Sequence, residues 1–139
     1  MLIDKKLTFC TEQAVTVSAT STDVIDMGSA GDVGLSSGLH LMINVDETVT
    51  AAGAATVNFQ VQCDSDSAFG SPKTVVQTDA VPKATLVAGY QLFIPLPVGL
   101  DERYLGVKFL VSTGPLTAGK FTAAIVHGIQ KNVAYADAL

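Results

Sequence analysis

The sequence predicts an all-β fold, a jelly-roll-like antiparallel β-sandwich of about eight strands. Three observations favour this fold. Apolar and polar residues alternate with a period of two, turn residues recur at a spacing of about ten residues, and no segment keeps a helical periodicity. The length of 139 residues is typical of one domain, which we assign to residues 1–139. We expect short N- and C-terminal arms, residues 1–13 and 132–139, outside the strand pattern.

The strand pattern is clearest in residues 56–63, TVNFQVQC, where apolar and polar side chains alternate and therefore lie on opposite faces. The other clear strands are 39–46, 104–111 and 121–127, and the weaker candidates are 14–19, 23–27, 74–79 and 90–96. Phe59, Phe109 and Phe121 share the apolar phase, so we expect them in the core. Pro95 has no N–H and is expected at a sheet edge or a strand end.

The composition argues against two classes of binding protein. Hydrophobic residues make up 48% of the chain and charged residues 15%, and the net charge is −5. The basic residues are scattered, whereas a protein that binds nucleic acid or an anionic membrane needs a basic patch. No apolar run approaches the roughly 18 residues of a membrane span, and the N-terminus does not resemble a signal peptide. We therefore expect neither a nucleic acid nor a membrane among the partners.

The two cysteines, Cys10 and Cys63, lie far apart in the sequence. A count of two is typical of free thiols in a reducing cytoplasm, which is the interpretation we favour. A single disulfide between them is the alternative.

Two carboxylates in CDSDSAFGSP, residues 63–72, resemble the opening of a calcium-binding loop. An EF-hand loop counted from Asp64 needs an oxygen ligand, a glycine and an acid where this chain has Ala68, Phe69 and Val75. We therefore interpret Asp64 and Asp66 as turn-formers whose side chains accept backbone N–H groups, with a looser calcium site as the alternative. The ring of Phe69 is expected to fold back and hold the loop against the edge of the sandwich.

Other chemistry has little support. A metal site would need His40 and His127 to converge with a third ligand, and the short motifs of phosphate-binding, dinucleotide-binding and serine-hydrolase sites are absent from the sequence. A glycosidase-like pair remains open among Asp4, Asp23, Asp26, Asp32, Asp46, Glu47, Asp101 and Glu102. The chain has no Trp to line a sugar site. We predict no enzyme activity, no cofactor and no metal; a hydrolase using Asp64 and Asp66 is a competing hypothesis.

The phase of Phe93 differs from that of its neighbours Leu92, Ile94 and Leu96, so it points to the opposite face of its strand. It belongs either to a second buried layer or a cover provided by a loop, or to an exposed apolar contact with a partner. The candidate partner contacts are Phe93, His40, Met42 and Tyr135. The loops 28–38 and 112–120 are candidate binding tips because loops on a rigid scaffold commonly carry binding.

Four segments, in order and covering nearly the whole chain, resemble the capsid cement (decoration) proteins of tailed bacteriophages, in particular the family typified by the cement protein of a Bordetella phage. These segments are QAVTVSATSTDVIDMGSAGDVG at 13–34, CDSDSAFGSPKTV at 63–75, VAGYQLFIPLP at 87–97 and RYLGVKFLVSTGPLTAGKFTAAIVHGIQ at 103–130. Each is a general strand-and-turn pattern, and their order and spacing carry the resemblance.

The resemblance implies a jelly-roll-like domain that binds the outside of an icosahedral capsid built from an HK97-type major capsid protein. It implies small oligomers, with a dimer favoured and a trimer possible, that clamp neighbouring capsomers. The chain would be made in the bacterial cytoplasm and located in the virion. The alternative function is a carbohydrate-binding, lectin-like β-sandwich module.

Overall fold

The computed structural model describes residues 3–32 and 38–129, which contain ten strands and one short 3-10 helix, Lys5–Leu7. The strands are β1 Thr8–Ala14, β2 Ala19–Thr20, β3 Ile25–Asp26, β4 Leu39–Thr50, β5 Thr56–Asp64, β6 Lys73–Gln77, β7 Val81–Pro82, β8 Gln91–Pro95, β9 Tyr104–Ser112 and β10 Ala118–His127. No helix within these described ranges is long and apolar enough to cross a bilayer.

The strands form two antiparallel sheets that pack face to face. The first sheet has the order β1-β10-β4-β8, and the second has the order β2-β9-β5-β6. Strands β2 and β3 both pair with β9 and together act as one interrupted strand. Strands β6 and β7 both pair with β5 and do the same. Counted in this way, four strands lie in each sheet and the chain crosses between sheets in jelly-roll order. The predicted fold class is confirmed.

The N-terminal segment corrects the predicted strand pattern. Strand β1 begins at Thr8 and pairs with β10, so residues 8–13 belong to the first sheet rather than to an arm. The predicted strand 14–19 is wrong, because residues 15–18 form a bend between β1 and β2. Two register shifts in β1 and a positive φ of 48° at Glu12 break the alternation that identifies a strand in sequence. The predicted arm 132–139 lies outside the described residues.

The other strand predictions differ mainly at their ends. The four clear strands correspond to β4, β5, β9 and β10, and the three remaining weak candidates correspond to β3, β6 and β8. The two-residue strand β7 is too short to be identified from alternation. Pro95 ends β8 at the edge of the first sheet, as expected for a residue without an N–H.

Three phenylalanines meet in the core between the sheets, as predicted. Phe59, Phe109 and Phe121 are fully buried. The ring of Phe59 meets those of Phe109 and Phe121 edge-on at centroid distances of 5.9 and 5.6 Å, while Phe109 and Phe121 stack at 5.2 Å. Edge-on and offset aromatic pairs add favourable energy beyond the area that they bury. Because Phe121 comes from the first sheet and the other two from the second, the cluster joins both layers.

Candidate functional site

The loop after β5 is held by the carboxylates of Asp64 and Asp66. Asp64 accepts the N–H of Asp66 at Oδ1 (3.1 Å) and the N–H of Ser71 at Oδ2 (3.0 Å). Asp66 accepts the N–H of Ala68 at 3.0 Å, and its own carbonyl accepts the N–H of Phe69 at 3.1 Å. These bonds to residues two and more positions along the chain are the turn-forming bonds that the sequence predicted. The interpretation of both aspartates as turn-formers is confirmed.

The ring of Phe69 lies against β9, as predicted for a side chain that holds the loop. A Cβ atom built on Gly106 would stand 2.8 Å from Cζ of Phe69, closer than two carbon atoms approach. Glycine at position 106 therefore makes room for the ring. Phe69 itself has a positive φ of 54°, a conformation that few bulky residues adopt and that the surrounding bonds impose. The loop is thus fixed at both its carboxylates and its aromatic ring.

The electrostatics of this loop depend on backbone donors. The N–H of Asp66, followed by that of Ser71, lowers the pKa of the Asp64 carboxyl. A carboxylate that is already engaged by two backbone N–H groups has less capacity left to coordinate an ion. Within the described parts of the chain, no three His, Cys, Asp or Glu side chains are grouped so that they could hold a metal ion.

The two histidines lie on neighbouring strands of the first sheet. His40 lies on β4 opposite Val126, with Nδ1 3.2 Å from the carbonyl oxygen of Gly38. His127 lies opposite Leu39 at the end of β10. Because residues opposite each other in an antiparallel pair share a face, the two imidazoles point to opposite faces of the first sheet. The two-histidine metal site is not supported by this arrangement.

Several predicted carboxylates have structural partners. Arg103 forms a bidentate pair with Asp26, at 2.8 and 3.0 Å, and this pair lowers the pKa of Asp26 to about 2. Asp46 accepts hydrogen bonds from Thr122 and Asn44, and Asp101 pairs with Lys73 at 2.6 Å. These contacts explain their positions without reference to catalysis, and the absence of enzyme activity stays a prediction.

A second apolar layer covers part of the outer face of the first sheet. Phe93 lies opposite Met42 and packs against a small cluster of Met42, Ala124 and Val126, on the face away from Ile94. The predicted outward direction of Phe93 is confirmed. Its packing on this cluster agrees with the interpretation as part of a second apolar layer. The ring is still partly exposed.

Three of the four candidate partner contacts lie close together in the structure. His40, Met42 and Phe93 lie on neighbouring positions of this outer face, a grouping that the sequence prediction did not state. Met42 is only 1% exposed, so a partner approaching this face would meet Phe93 and half-buried His40 rather than Met42. Tyr135 lies outside the described residues. Contact of these residues with a partner stays a prediction.

Both cysteines are free and buried. Cys10 lies in the first sheet and Cys63 in the second. Burial raises the pKa of the Cys10 thiol to about 11, so that thiol is protonated at neutral pH.

The two ends of the sandwich differ in charge. Four loops meet at one end, which we call the uncharged end: residues 15–18, 51–55, 83–90 and 113–117. These loops and the strand residues that flank them contain one charged residue, Lys83. Its ammonium group donates to the carbonyl of Ala51 at 2.7 Å. Ordinary backbone and hydroxyl bonds hold the rest of this end together.

The opposite end, which we call the acidic end, contains the loops 65–72 and 96–103 and the described part of the β3–β4 loop, residues 27–32. With the flanking strand residues and the segment 3–7 that precedes β1, its charged groups are Asp4, Asp26, Asp32, Asp64, Asp66, Asp101, Glu102, Lys5, Lys6, Lys73 and Arg103. Two of its four basic residues, Lys73 and Arg103, form ion pairs with aspartates. Two loops were predicted as binding tips, 28–38 and 112–120. The described part of the first, residues 28–32 and 38, lies at the acidic end and the second lies at the uncharged end. Residues 33–37 are outside the described part of the chain.

A family model described as Bbp16 matches residues 9–125, which is most of the chain and spans every described strand except the first residue of β1 and the end of β10. The chain belongs to the Bbp16 family. This is a family of Bordetella phage proteins, which confirms the predicted family. No curated protein matches the chain.

Membership of the Bbp16 family indicates a phage virion protein. The jelly-roll sandwich agrees with the fold that the resemblance implied. Sequence reasoning missed the charge asymmetry of the two ends. The four loops of the uncharged end are separated by tens of residues along the chain, and only the topology brings them together.

Proposed function

We propose that this Bbp16-family chain is a capsid cement protein. It binds the outer surface of an icosahedral phage shell built from an HK97-type major capsid protein and stabilises the shell by clamping neighbouring subunits. The family match over residues 9–125 carries this proposal. The ordered resemblance of four segments to phage cement proteins supports it.

The proposed mechanism is mass action. A protein that binds the assembled, expanded shell and not its separated subunits stabilises the shell by an amount that grows with its free concentration. The same contact is repeated over the many equivalent positions of an icosahedral surface. A small interface per copy is therefore sufficient, because the contributions of all copies add.

The fold suits a clamp that must keep its shape under load. Its two sheets share one core, and the aromatic cluster of Phe59, Phe109 and Phe121 joins them. A rigid domain loses little conformational entropy when it binds, so more of the contact energy remains as affinity. The free, buried thiols suit synthesis in a reducing bacterial cytoplasm. Self-association as a dimer, or less favourably a trimer, is part of the proposal.

Co-sedimentation tests the proposal. Purified chain is mixed with expanded and with unexpanded capsids of the phage that encodes it. The capsids are pelleted, and the chain in the pellet is quantified by gel densitometry. We expect saturable binding to expanded capsids and weak binding to unexpanded ones. Absence of binding to either form would contradict the proposal, and binding on a glycan array in the same preparation would favour the lectin-like alternative.

A further inference from the structure

We infer that the open edge of strand β8, Gln91–Pro95, pairs antiparallel with the same edge of a second copy of this chain. The first sheets of the two copies then form one continuous sheet across a two-fold axis at Phe93. The inference rests on the self-association in the proposed function and deepens it by naming the surface and the register. Three features carry it: the open main chain of β8, the absence of the protection that the other described edges have, and the apolar side chains beside it.

Strand β8 lies at the edge of the first sheet and pairs with β4 on one side. Just after the strand, the N–H of Leu96 donates to the carbonyl of Leu39 at 3.1 Å. Main-chain groups along an antiparallel strand alternate in direction, so even-numbered residues here face β4 and odd-numbered residues face away from it. The N–H groups of Gln91 and Phe93 and the carbonyl of Pro95 therefore point to the open side, where none of the described strands pairs with β8.

The other three sheet edges in the described part of the chain have features that hinder pairing with another strand, which are charges, bulges and interruptions. Strand β1 has two register shifts and a charged residue, Glu12, at a positive φ. The edge formed by β2 and β3 is interrupted and contains Asp26. The edge formed by β6 and β7 is also interrupted, and it begins at Lys73. Strand β8 pairs with β4 without a register shift, and no residue from 84 to 100 is charged.

The side chains of β8 leave apolar surface uncovered on both faces of the sheet. Leu92 packs against the core but is only partly buried, whereas the residue opposite it on β4, Ile43, is 1% exposed. On the outer face, Phe93 is partly exposed although its neighbour Met42 is buried. A strand added at this edge covers both Leu92 and Phe93, because its side chains lie beside theirs on the two faces.

A second copy of β8 fits this edge because the edge is complementary to itself. A two-fold interface brings the same surface of both copies together, so any charge on it would meet a like charge near the axis. Strand β8 has none. With the axis at Phe93, the two Phe93 residues exchange N–H and carbonyl bonds, and their rings lie side by side on the outer face. The N–H of Gln91 then donates to the carbonyl of the partner's Pro95, whose own lack of an N–H ends the pairing.

Cysteine cross-linking tests the position of the axis. Directly opposite residues of a hydrogen-bonded antiparallel pair have Cα atoms about 5.5 Å apart, which is within the range of a disulfide. Phe93→Cys places a thiol at the axis, and the matched control Thr11→Cys places one at an exposed position on β1, the other edge of the same sheet. Cys10 and Cys63 are buried and do not compete. Each full-length variant is oxidised with copper phenanthroline, and the covalent dimer is quantified on non-reducing gels.

We expect Phe93→Cys to form the covalent dimer at least about tenfold faster than Thr11→Cys, because pairing holds its two thiols together. Equal rates, or a faster reaction of Thr11→Cys, would overturn the inference.

Sedimentation equilibrium of the free chain gives a second, independent readout. Phe93→Lys places two ammonium groups opposite each other at the axis and should weaken the dimer by about tenfold or more, whereas Thr11→Lys should change the dissociation constant by less than about twofold. Thermal melting is the folding control, and the cross-linking result decides the matter if Phe93→Lys unfolds early. A dimer that Phe93→Lys leaves intact, or an original chain that stays monomeric, would overturn the inference. Capsid binding by co-sedimentation is scored separately, so a monomer that binds capsids overturns the edge pairing and leaves the cement function standing.

Discussion

The two ends of the sandwich are held together by different chemistry. At the uncharged end, backbone N–H groups and hydroxyls connect the loops, as in the contact between Thr50 and Thr117 at 2.7 Å. At the acidic end, carboxylates do this: Asp64 holds the loop after β5, Asp32 accepts the N–H of Gly99 at 2.8 Å, and Asp26 pairs with Arg103. The acidic end therefore depends on several ionised groups for its loop geometry, whereas the uncharged end depends on one, the ammonium group of Lys83.

This difference affects the stability of the loops and the cost of covering their surface in different ways. A carboxylate that caps a loop stabilises that loop, but it also makes the surface expensive to desolvate. Loops that are closed by backbone bonds leave a surface that can be covered at lower cost. If the two ends are distinct regions on a common core, a substitution at one end should leave the other end unchanged.

The largest expected effect is on the core that both ends share. Phe59→Ala should lower the free energy of unfolding by about 3–5 kcal/mol, because it removes the ring that meets Phe109 and Phe121 edge-on. Urea unfolding followed by circular dichroism measures the loss. Since both ends rest on this core, hydrogen exchange should accelerate at both. Acceleration confined to one end would mean that the ends belong to separate folding units.

A smaller effect is expected from Gly106→Ala, which loosens only the acidic end. The added Cβ would stand 2.8 Å from the Phe69 ring, so the ring must move, and overpacking of this kind costs about 1–3 kcal/mol. The matched control is Gly53→Ala at the uncharged end, where the nearest atom, the carbonyl oxygen of Thr113, is 3.8 Å away. We expect the control to unfold at nearly the original temperature.

A double-mutant cycle separates the ring contact from other effects of Gly106→Ala. If the Phe69 ring is the obstacle, Phe69→Ala should remove most of the loss caused by Gly106→Ala, and the two changes should not be additive. Additive losses would show that position 106 is sensitive for a different reason.

The smallest of the stability effects is expected from Asp64→Asn, and it should depend on pH. Backbone N–H groups hold the pKa of Asp64 below its ordinary value of 3.8, so its stabilising contribution is present above that value and is lost as the pH falls below it. Asp64→Asn should therefore lower the melting temperature at pH 7 and should match the original chain more closely near pH 2.

The matched control is Asp66→Asn, in the same loop. The side chain of Asp66 accepts one backbone N–H rather than two, and an asparagine oxygen can retain that bond. We expect a smaller decrease in melting temperature. A loss for Asp64→Asn that stays constant from pH 7 to pH 2 would contradict the role assigned to its charge.

Sequence reasoning succeeded where structure is determined locally. The alternation in residues 56–63 identified β5 because both faces of that strand follow a period of two. The turn bonds of Asp64 and Asp66 were predictable because such bonds reach only a few residues along the chain. Strand β1 was missed because its register shifts and the positive φ of Glu12 disturb the period.

Features that depend on distant contacts were not predictable in the same way. The grouping of His40 and Phe93 on one face depends on the register between β4 and β8, which one sequence does not specify. The placement of the described part of loop 28–38 and of loop 112–120 at opposite ends depends on how the strands are arranged in the two sheets. The uncharged end is of this second kind, because its four loops meet only in the folded chain.

The proposed cement function is tested most directly by the melting temperature of expanded capsids of the phage that encodes the chain, measured over a series of concentrations of the free chain. If the chain is a cement protein, the melting temperature of the shell rises and continues to rise with the logarithm of the free concentration above the dissociation constant. A melting temperature that is the same with and without saturating chain would contradict the account.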